Sequence, residues 1–264
     1  MRARLMNRIS TVAIAAFTFA GIAAGDPAHA TSVTFNFQGG SNSTTGAFGN
    51  TRTFTGSDAT TTVTAQGWGR TVGSTNTAFE TGYLGHYSAG LGVTDRDEDG
   101  TNASHTMDNV DRLDFIVFRF SQDVHLTDAF LTAFSSSQVS GDPDTDISVW
   151  FGSAPSLPDL TGDTLTQINT LYPGRVDDNG TNGVSTRTAH IGDQTGIGNI
   201  LIIGASVIDT SPEDLIKIGI LTADVSTPTT GPHDTPVPEP ASGLILVSGL
   251  AGLWFARRRR AHRA

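Results

Sequence analysis

Two apolar segments, one at each end and each flanked by arginines, decide how much of this chain is free to fold into a domain. Near the start, Arg2, Arg4 and Arg8 precede an apolar run from Ile9 to Ala24, which closes on Ala28-His29-Ala30. A cationic end stays on the cytoplasmic side while the apolar run enters the membrane. A small-x-small triplet is what a signal peptidase cuts. The expectation is a signal peptide over residues 1–30, with Ala28 and Ala30 at the cleavage site and the secretion translocon as partner.

At the far end, Pro236-Val237-Pro238-Glu239-Pro240 leads into Ala241–Ala256 without a charge, then Arg257-Arg258-Arg259-Arg260. Sixteen helical residues reach ~24 Å, against a hydrocarbon core of ~30 Å. Trp254 at the interface and snorkelling arginines cover part of the difference. Residues 241–264 therefore read as a short transmembrane helix with an arginine-rich cytoplasmic tail, in which Arg257, Arg258, Arg259 and Arg260 hold the end inside. Both ends place the middle of the chain outside the cytoplasm, anchored in the inner membrane until it is processed.

Removing the ends changes the charge. They carry eight of the sixteen basic residues but only Asp26 and Glu239 of the acids, so the middle holds eight basic against 24 acidic residues. So acidic a domain repels phosphate backbones, which excludes nucleic acid as a partner and makes divalent cations its natural counterions. With no cysteine in the chain, disulfides contribute nothing. About two hundred residues are enough for a self-sufficient core.

Residues 31–225 are rich in Thr, Ser, Gly and Asn, with runs of β-branched and aromatic residues between turn signals. Strands are expected at Ser32–Phe37, Thr60–Gln66, Asp111–Phe120, Val124–Phe134, Asp146–Phe151, Ser185–His190, Asn199–Val207 and Leu215–Thr222. Thr164–Leu171 reads as one short helix after the Pro155/Pro158 loop, with Ile168 and Leu171 fitting a strand equally well. In the third of these strands Leu113, Phe115 and Val117 lie on one face and Ile116, Phe118 and Phe120 on the other. A strand apolar on both faces belongs in the middle of a sheet. The fold class expected is all-β, an antiparallel β-sandwich of jelly-roll type between the N-terminal signal helix and the C-terminal membrane helix. Residues 226–240, rich in Pro and Thr, read as an extended spacer open to a processing enzyme.

The run Val237-Pro238-Glu239-Pro240-Ala241, followed by an apolar segment and a terminal Arg cluster, resembles the PEP-CTERM sorting signal. That resemblance implies recognition of Pro238, Glu239 and Pro240 by an exosortase, a membrane-embedded, cysteine transpeptidase-like enzyme of exopolysaccharide-producing Gram-negative bacteria. It also implies a final place at the cell surface or outside the cell, with exopolysaccharide as a candidate companion. The interior, over roughly residues 83–221, resembles exosortase-dependent surface proteins. The order carrying this is Gly90-Leu91-Gly92-Val93, His105-Thr106-Met107-Asp108-Asn109, Phe115–Phe120, Asp144–Trp150, Leu201–Ala205 and Ile216-Lys217-Ile218. The match departs at Asp111-Arg112-Leu113-Asp114, and it implies location rather than activity.

No catalytic constellation emerges, and the chain reads as non-enzymatic. His86, His105, His125 and His190 lack zinc-protease spacing, and Ser206 lacks the second glycine of a nucleophile elbow. The sharpest local feature is Asp95-Arg96-Asp97-Glu98-Asp99-Gly100. Alternate carboxylates before a turn glycine can wrap oxygen ligands around calcium. An EF-hand would need an acid at Thr106, so the expected site is a β-loop one using Asp95, Asp97, Asp99 and Asp108, with a solvated acidic loop as the alternative. Asp142-Pro143-Asp144-Thr145-Asp146 is a second cluster that could share an ion with Asp108 or Asn109, or cap a turn. Asp177-Asp178-Asn179-Gly180 reads as a hairpin turn. A calcium-dependent carbohydrate-binding module or adhesin is the competing function. Trp68, Trp150, Tyr83 and Tyr87 would be its sugar platform if they were not packed in the core.

Overall fold

The computed structural model describes residues 30–42, 46–71, 78–98, 105–109, 112–134, 144–180, 183, 185–208 and 214–226. The signal peptide with Ala28, the spacer past Ser226, the motif Pro238-Glu239-Pro240, the expected membrane helix and Arg257–Arg260 all lie outside the described residues. Among the described residues no helix is long and apolar enough to cross a membrane.

Period-2 alternation of β-branched and aromatic residues produces β1 (Ala30–Asn36), β2 (Thr51–Thr55), β3 (Thr62–Thr71), β4 (Glu80–Thr81), β5 (Tyr83–Tyr87), β6 (Gly90–Thr94) and β7 (Met107–Asp108). It continues in β8 (Arg112–Ala133), β9 (Ile147–Gly152), β10 (Val176–Asp178), β11 (Thr186–His190), β12 (Ile197–Ala205) and β13 (Leu215–Ser226). All thirteen join one hydrogen-bonded sheet, and every strand pairing is antiparallel. The single α-helix among these residues, α1 (Leu165–Leu171), begins on a capping box in which Thr164 and Gln167 satisfy each other's backbone N–H.

β8 organises the molecule. Its first half, residues 112–120, lies between β3 and β12. Its second half lies between β13 and β11. Between the halves, around Ser121-Gln122-Asp123, the partner on one edge changes from β3 to β13. The polar triplet led the sequence to suggest two strands there, but the backbone stays extended through it.

This change of partner folds the sheet over on itself. Phe35 of β1 and Phe37 just past its end meet Phe120 and Phe118 of β8, with ring centroids 5.4 and 5.5 Å apart. The two layers expected of a sandwich are thus halves of one continuous sheet, not two separately bonded sheets. Ile116, Phe118 and Phe120 face the core between the layers, with Leu201 and Ile203 of β12. Leu113, Phe115 and Val117 face the second core, where Trp150, Leu160, Ile168 of α1 and Tyr172 cover the outside of the same layer. Both faces of β8 are buried, as its sequence required. Each fully buried aromatic or branched aliphatic side chain there contributes roughly 1.5–3 kcal/mol.

β13 sets the long axis. At its start Leu215 and Ile216 pair with Asp108 and Met107, and at its end Ser226 pairs with Ala30. Twelve residues of strand separate these ends by roughly 36 Å. The first and last described residues therefore lie side by side at one end, and Asp108 lies at the other.

Candidate functional site

The end of the sheet far from Ala30 and Ser226 collects carboxylates. Six elements stop or start there: β6 hands over to Asp95, β7 carries Asp108, β8 carries Asp114 on its third residue, Asp144 and Asp146 precede β9, β12 finishes at Ala205, and Asp214 precedes β13. All six aspartates are buried: Asp95 1%, Asp108 5%, Asp114 0%, Asp144 1%, Asp146 4% and Asp214 0% exposed. Acids are almost never so buried without partners, so what surrounds each one decides what it can do.

Asp144, Asp146 and Asp214 form one group, with a ligand-capable oxygen of each within 4.8 Å of the others. Hydrogen bonds close this group. Asp214 Oδ2 accepts from Asn109 Nδ2 at 2.7 Å and from the Ser206 N–H at 3.3 Å. Its Oδ1 accepts from the Asp146 N–H at 2.8 Å, and the Asp214 N–H donates to Asn109 Oδ1 at 2.8 Å. Asp144 Oδ1 accepts from the Thr145 N–H, and Asp146 Oδ1 from the Gly180 N–H. Burial, then the charges of Asp144 and Asp146, push the Asp214 carboxyl up to about 8. The group therefore ties the starts of β9 and β13 to the end of β12, with a proton retained on it near neutral pH.

Asp95, Asp108 and Asp114 form the other group. Asp114 stands opposite Gly69 in the β3–β8 ladder. A side chain at Gly69 would lie 2.6 Å from Asp95 Cβ and 3.1 Å from Asp114 Oδ1, so the two aspartates approach each other across the space the glycine leaves. For Asp114, the one contact that favours its charge is the backbone N–H of Asp108. Its carboxyl is held well above the usual carboxylate range by burial, then by Asp108, Glu98 and Asp95. Beside it, the Asp95 N–H donates to Glu98 Oε2 at 2.9 Å and the Asp97 N–H to Asp95 Oδ1 at 2.7 Å. This tight turn brings Glu98 back over Asp95.

Of the ligand set expected from sequence, the structure brings Asp95 and Asp108 together. Asp97 is exposed and offers its backbone N–H to Asp95, while Asp99 lies outside the described residues. The second cluster divides: Asp144 and Asp146 gather at Asp214, which Asn109 also reaches, while Asp108 acts on Asp114 and Asp142 lies outside the described residues. Asp177 and Asp178 are not a hairpin turn. They form β10 against β9, and Arg187 pairs with Asp178.

Sequence reading passed over Asp114 and Asp214. For Asp114 a signal was present: it shares the face of Ile116, Phe118 and Phe120, so a carboxylate was written into a core-facing position. Nothing in the pattern marked Asp214. The four aromatic candidates for a sugar platform are buried, Trp68 1%, Trp150 0%, Tyr83 4% and Tyr87 8% exposed. Trp150 Nε1 donates to Asn169 of α1, so these rings serve packing. Ala30 is exposed at the head of β1. It borders a groove of about 470 Å³ with Asp123, His125, Thr195, Ile197 and Asp224 at the opposite end of the domain.

Fold and ends together define an all-β domain whose entry and exit are neighbours, with the C-terminal segment following directly from that exit. The chain carries a PEP-CTERM protein-sorting motif, matched over residues 236–260. That motif marks exosortase-dependent sorting of an exported protein that is associated with the membrane or the cell surface. The comparison with curated proteins and the comparison with solved structures each returned no match.

Proposed function

We propose that this protein is a non-enzymatic component of the cell surface or extracellular matrix, a jelly-roll-like β-sandwich displayed beyond the membrane and cut by an exosortase. The observation that carries this reading is the sorting motif over residues 236–260. The pairing of Ala30 with Ser226 supports it physically. A signal-peptidase cut after Ala30 removes only the terminal Ala30–Ser226 pair of the β1–β13 ladder, and the exosortase motif lies beyond the last residue of β13. Before processing, residues 241–264 hold the chain in the inner membrane, and Arg257–Arg260 fix its orientation.

Replacing Pro238, Glu239 and Pro240 with alanine in the native host should leave the precursor in the inner membrane. Maturation at the normal rate in that variant would overturn the reading.

A calcium-dependent carbohydrate-binding role is favoured by one observation, the buried carboxylates at the end remote from the tails. Burial of Trp68, Trp150, Tyr83 and Tyr87 weighs against a sugar platform built from those rings. Co-sedimentation with the host's exopolysaccharide, with calcium and with chelator, separates the two readings. Calcium-dependent retention supports the module, and equal recovery in both buffers supports a structural role.

A further inference from the structure

We propose that the signal-peptidase cut completes an ion pair: the α-ammonium group it frees on Thr31 is bound by Asp224 and Asp123 in the groove beside Ala30. This rests on the cut falling after Ala30, and adds what the new chain end does. In the precursor, Ala30 forms part of the groove wall, with Asp123, His125, Ile197 and Asp224 around it. Hydrolysis of the Ala30–Thr31 bond places the water oxygen on the Ala30 carbonyl carbon and protons on the Thr31 nitrogen. Ala30 departs as a carboxylate with the signal peptide. A neutral N–H at the groove wall has become a cation.

Strand register sets the geometry. Ser32 stands opposite Asp224, Asp224 opposite His125 and His125 opposite Ile197, so one row crosses β1, β13, β8 and β12. Asp123 lies two residues before His125 on β8, and alternation gives it the same face. Directly opposed residues of an antiparallel pair stand about 4.5–5.5 Å apart at Cα. The Thr31 nitrogen, one residue before Ser32, is thereby within reach of the Asp224 carboxylate.

The charges there are unbalanced. No hydrogen bond or ion pair from the described residues reaches the carboxylate of Asp123 or Asp224, although Asp224 is half-buried. No lysine or arginine lines the groove. His125 faces it from β8, but its Nε2–H donates to the Gly192 carbonyl at 2.9 Å. Arg119, on the same face of β8, is directed to the Pro155 carbonyl at 2.9 Å. Thr195, Gly196 and Ile197 bring no charge. A positive charge released at this wall therefore meets two free acids, which favour its protonated form.

The cut also removes the Ala30–Ser226 rung from the β1–β13 ladder. An ion pair this open to solvent adds little to global stability. What it fixes is the first residue of β1, where a chain end otherwise frays, beside the point at which the sorting segment leaves the sheet.

The test uses the mature protein recovered from the host. Competitive acetylation across pH, read by mass spectrometry of the N-terminal peptide, follows the unprotonated fraction of the amine. Near pH 8, about where a free α-amino group titrates, the native amine should react roughly fivefold more slowly than in denaturant. Its titration midpoint should move to higher pH, whereas steric shielding alone would slow the reaction without moving the midpoint. Asp224→Asn should recover most of the difference and Asp123→Asn part of it. Asp97→Asn, at the opposite end of the domain, should recover none.

A chain beginning at a residue other than Thr31 contradicts the cleavage reading and overturns the proposal with it. A chain beginning at Thr31 whose amine titrates as in denaturant leaves that reading standing and overturns the proposal alone. So does a raised midpoint that Asp224→Asn and Asp123→Asn both leave in place. Should Asp224→Asn fail to reach the surface, Asp123→Asn at its exposed position decides.

Discussion

Asp114 and Asp214 are both 0% exposed and stand at the same end of one sheet, each beside two or more other acids. Asp214 lies among donors: Asn109, the Asp146 N–H and the Ser206 N–H reach its two oxygens. Asp114 lies among the acids Asp108, Glu98 and Asp95, and the single donor that favours its charge is the Asp108 backbone N–H. Burial and negative surroundings are common to the two, so neither property tells them apart. The supply of protein donors does. Where backbone and amide N–H groups converge, a buried acid joins strands together. Where they are few, burial and like charges hold the carboxyl well above its ordinary range.

The contrast is most open to failure in chelator, without added metal. Asp214→Ala strands three donors at once and should cost about 3 kcal/mol or more in denaturant unfolding. Asp114→Asn removes a buried charge that meets only like charges, and should be neutral or stabilising under the same conditions. Equal losses from the two substitutions would erase the distinction.

The pH dependence sharpens it further. The folded-state value of Asp214, about 8, lies above its ordinary 3.8. Its contribution to stability is therefore complete below about pH 4 and is lost as pH rises towards about 8. Lys217 acts in the opposite direction: burial lowers its amine from 10.5 to about 7, so its contribution rises between about pH 7 and pH 10.5. Thermal unfolding across pH should lose its falling limb in Asp214→Asn and its rising limb in Lys217→Met. Each change should be roughly several degrees.

A smaller effect is expected of Gly69→Ala. Its methyl group would press on Asp95 Cβ at 2.6 Å, costing roughly 1–3 kcal/mol in denaturant unfolding. The smallest is Thr164→Ala, which removes the cap of α1 for about 1 kcal/mol. Combined with Asp214→Ala it should add to within ~0.5 kcal/mol, since the two share no hydrogen-bond partner.

These residues also show what the sequence made legible. The both-face burial of Leu113–Phe120 was readable because period-2 alternation fixes which side chains share a face, and the structure places both sets in separate cores. The sequence left Thr164–Leu171 open between helix and strand, and the Thr164–Gln167 capping box is what starts the helix. β5 and β6 were not: Gly85, Gly90 and Gly92 dilute the β-branched signal, although both strands are buried. β8 was read as two strands because polarity at Ser121-Gln122-Asp123 resembles a turn, while backbone pairing on both edges keeps it extended.

At the site, the local Asp95-Arg96-Asp97-Glu98 run was visible. Its partners come from sites far along the chain, and only the fold brings Asp114 to Asp95 and Asp214 to Asn109. Ligands expected from spacing alone, such as Asp97, turn outward because the loop closes on its own backbone N–H groups.

The intact mass of the protein recovered from the cell surface or the medium tests the whole interpretation most directly. A polypeptide beginning at Thr31 and ending near Pro240, without Arg257–Arg260, is the expected result, and it reports both cuts in one spectrum. Recovery of the uncut 264-residue chain from the cytosol, with no shortened form outside, would contradict it.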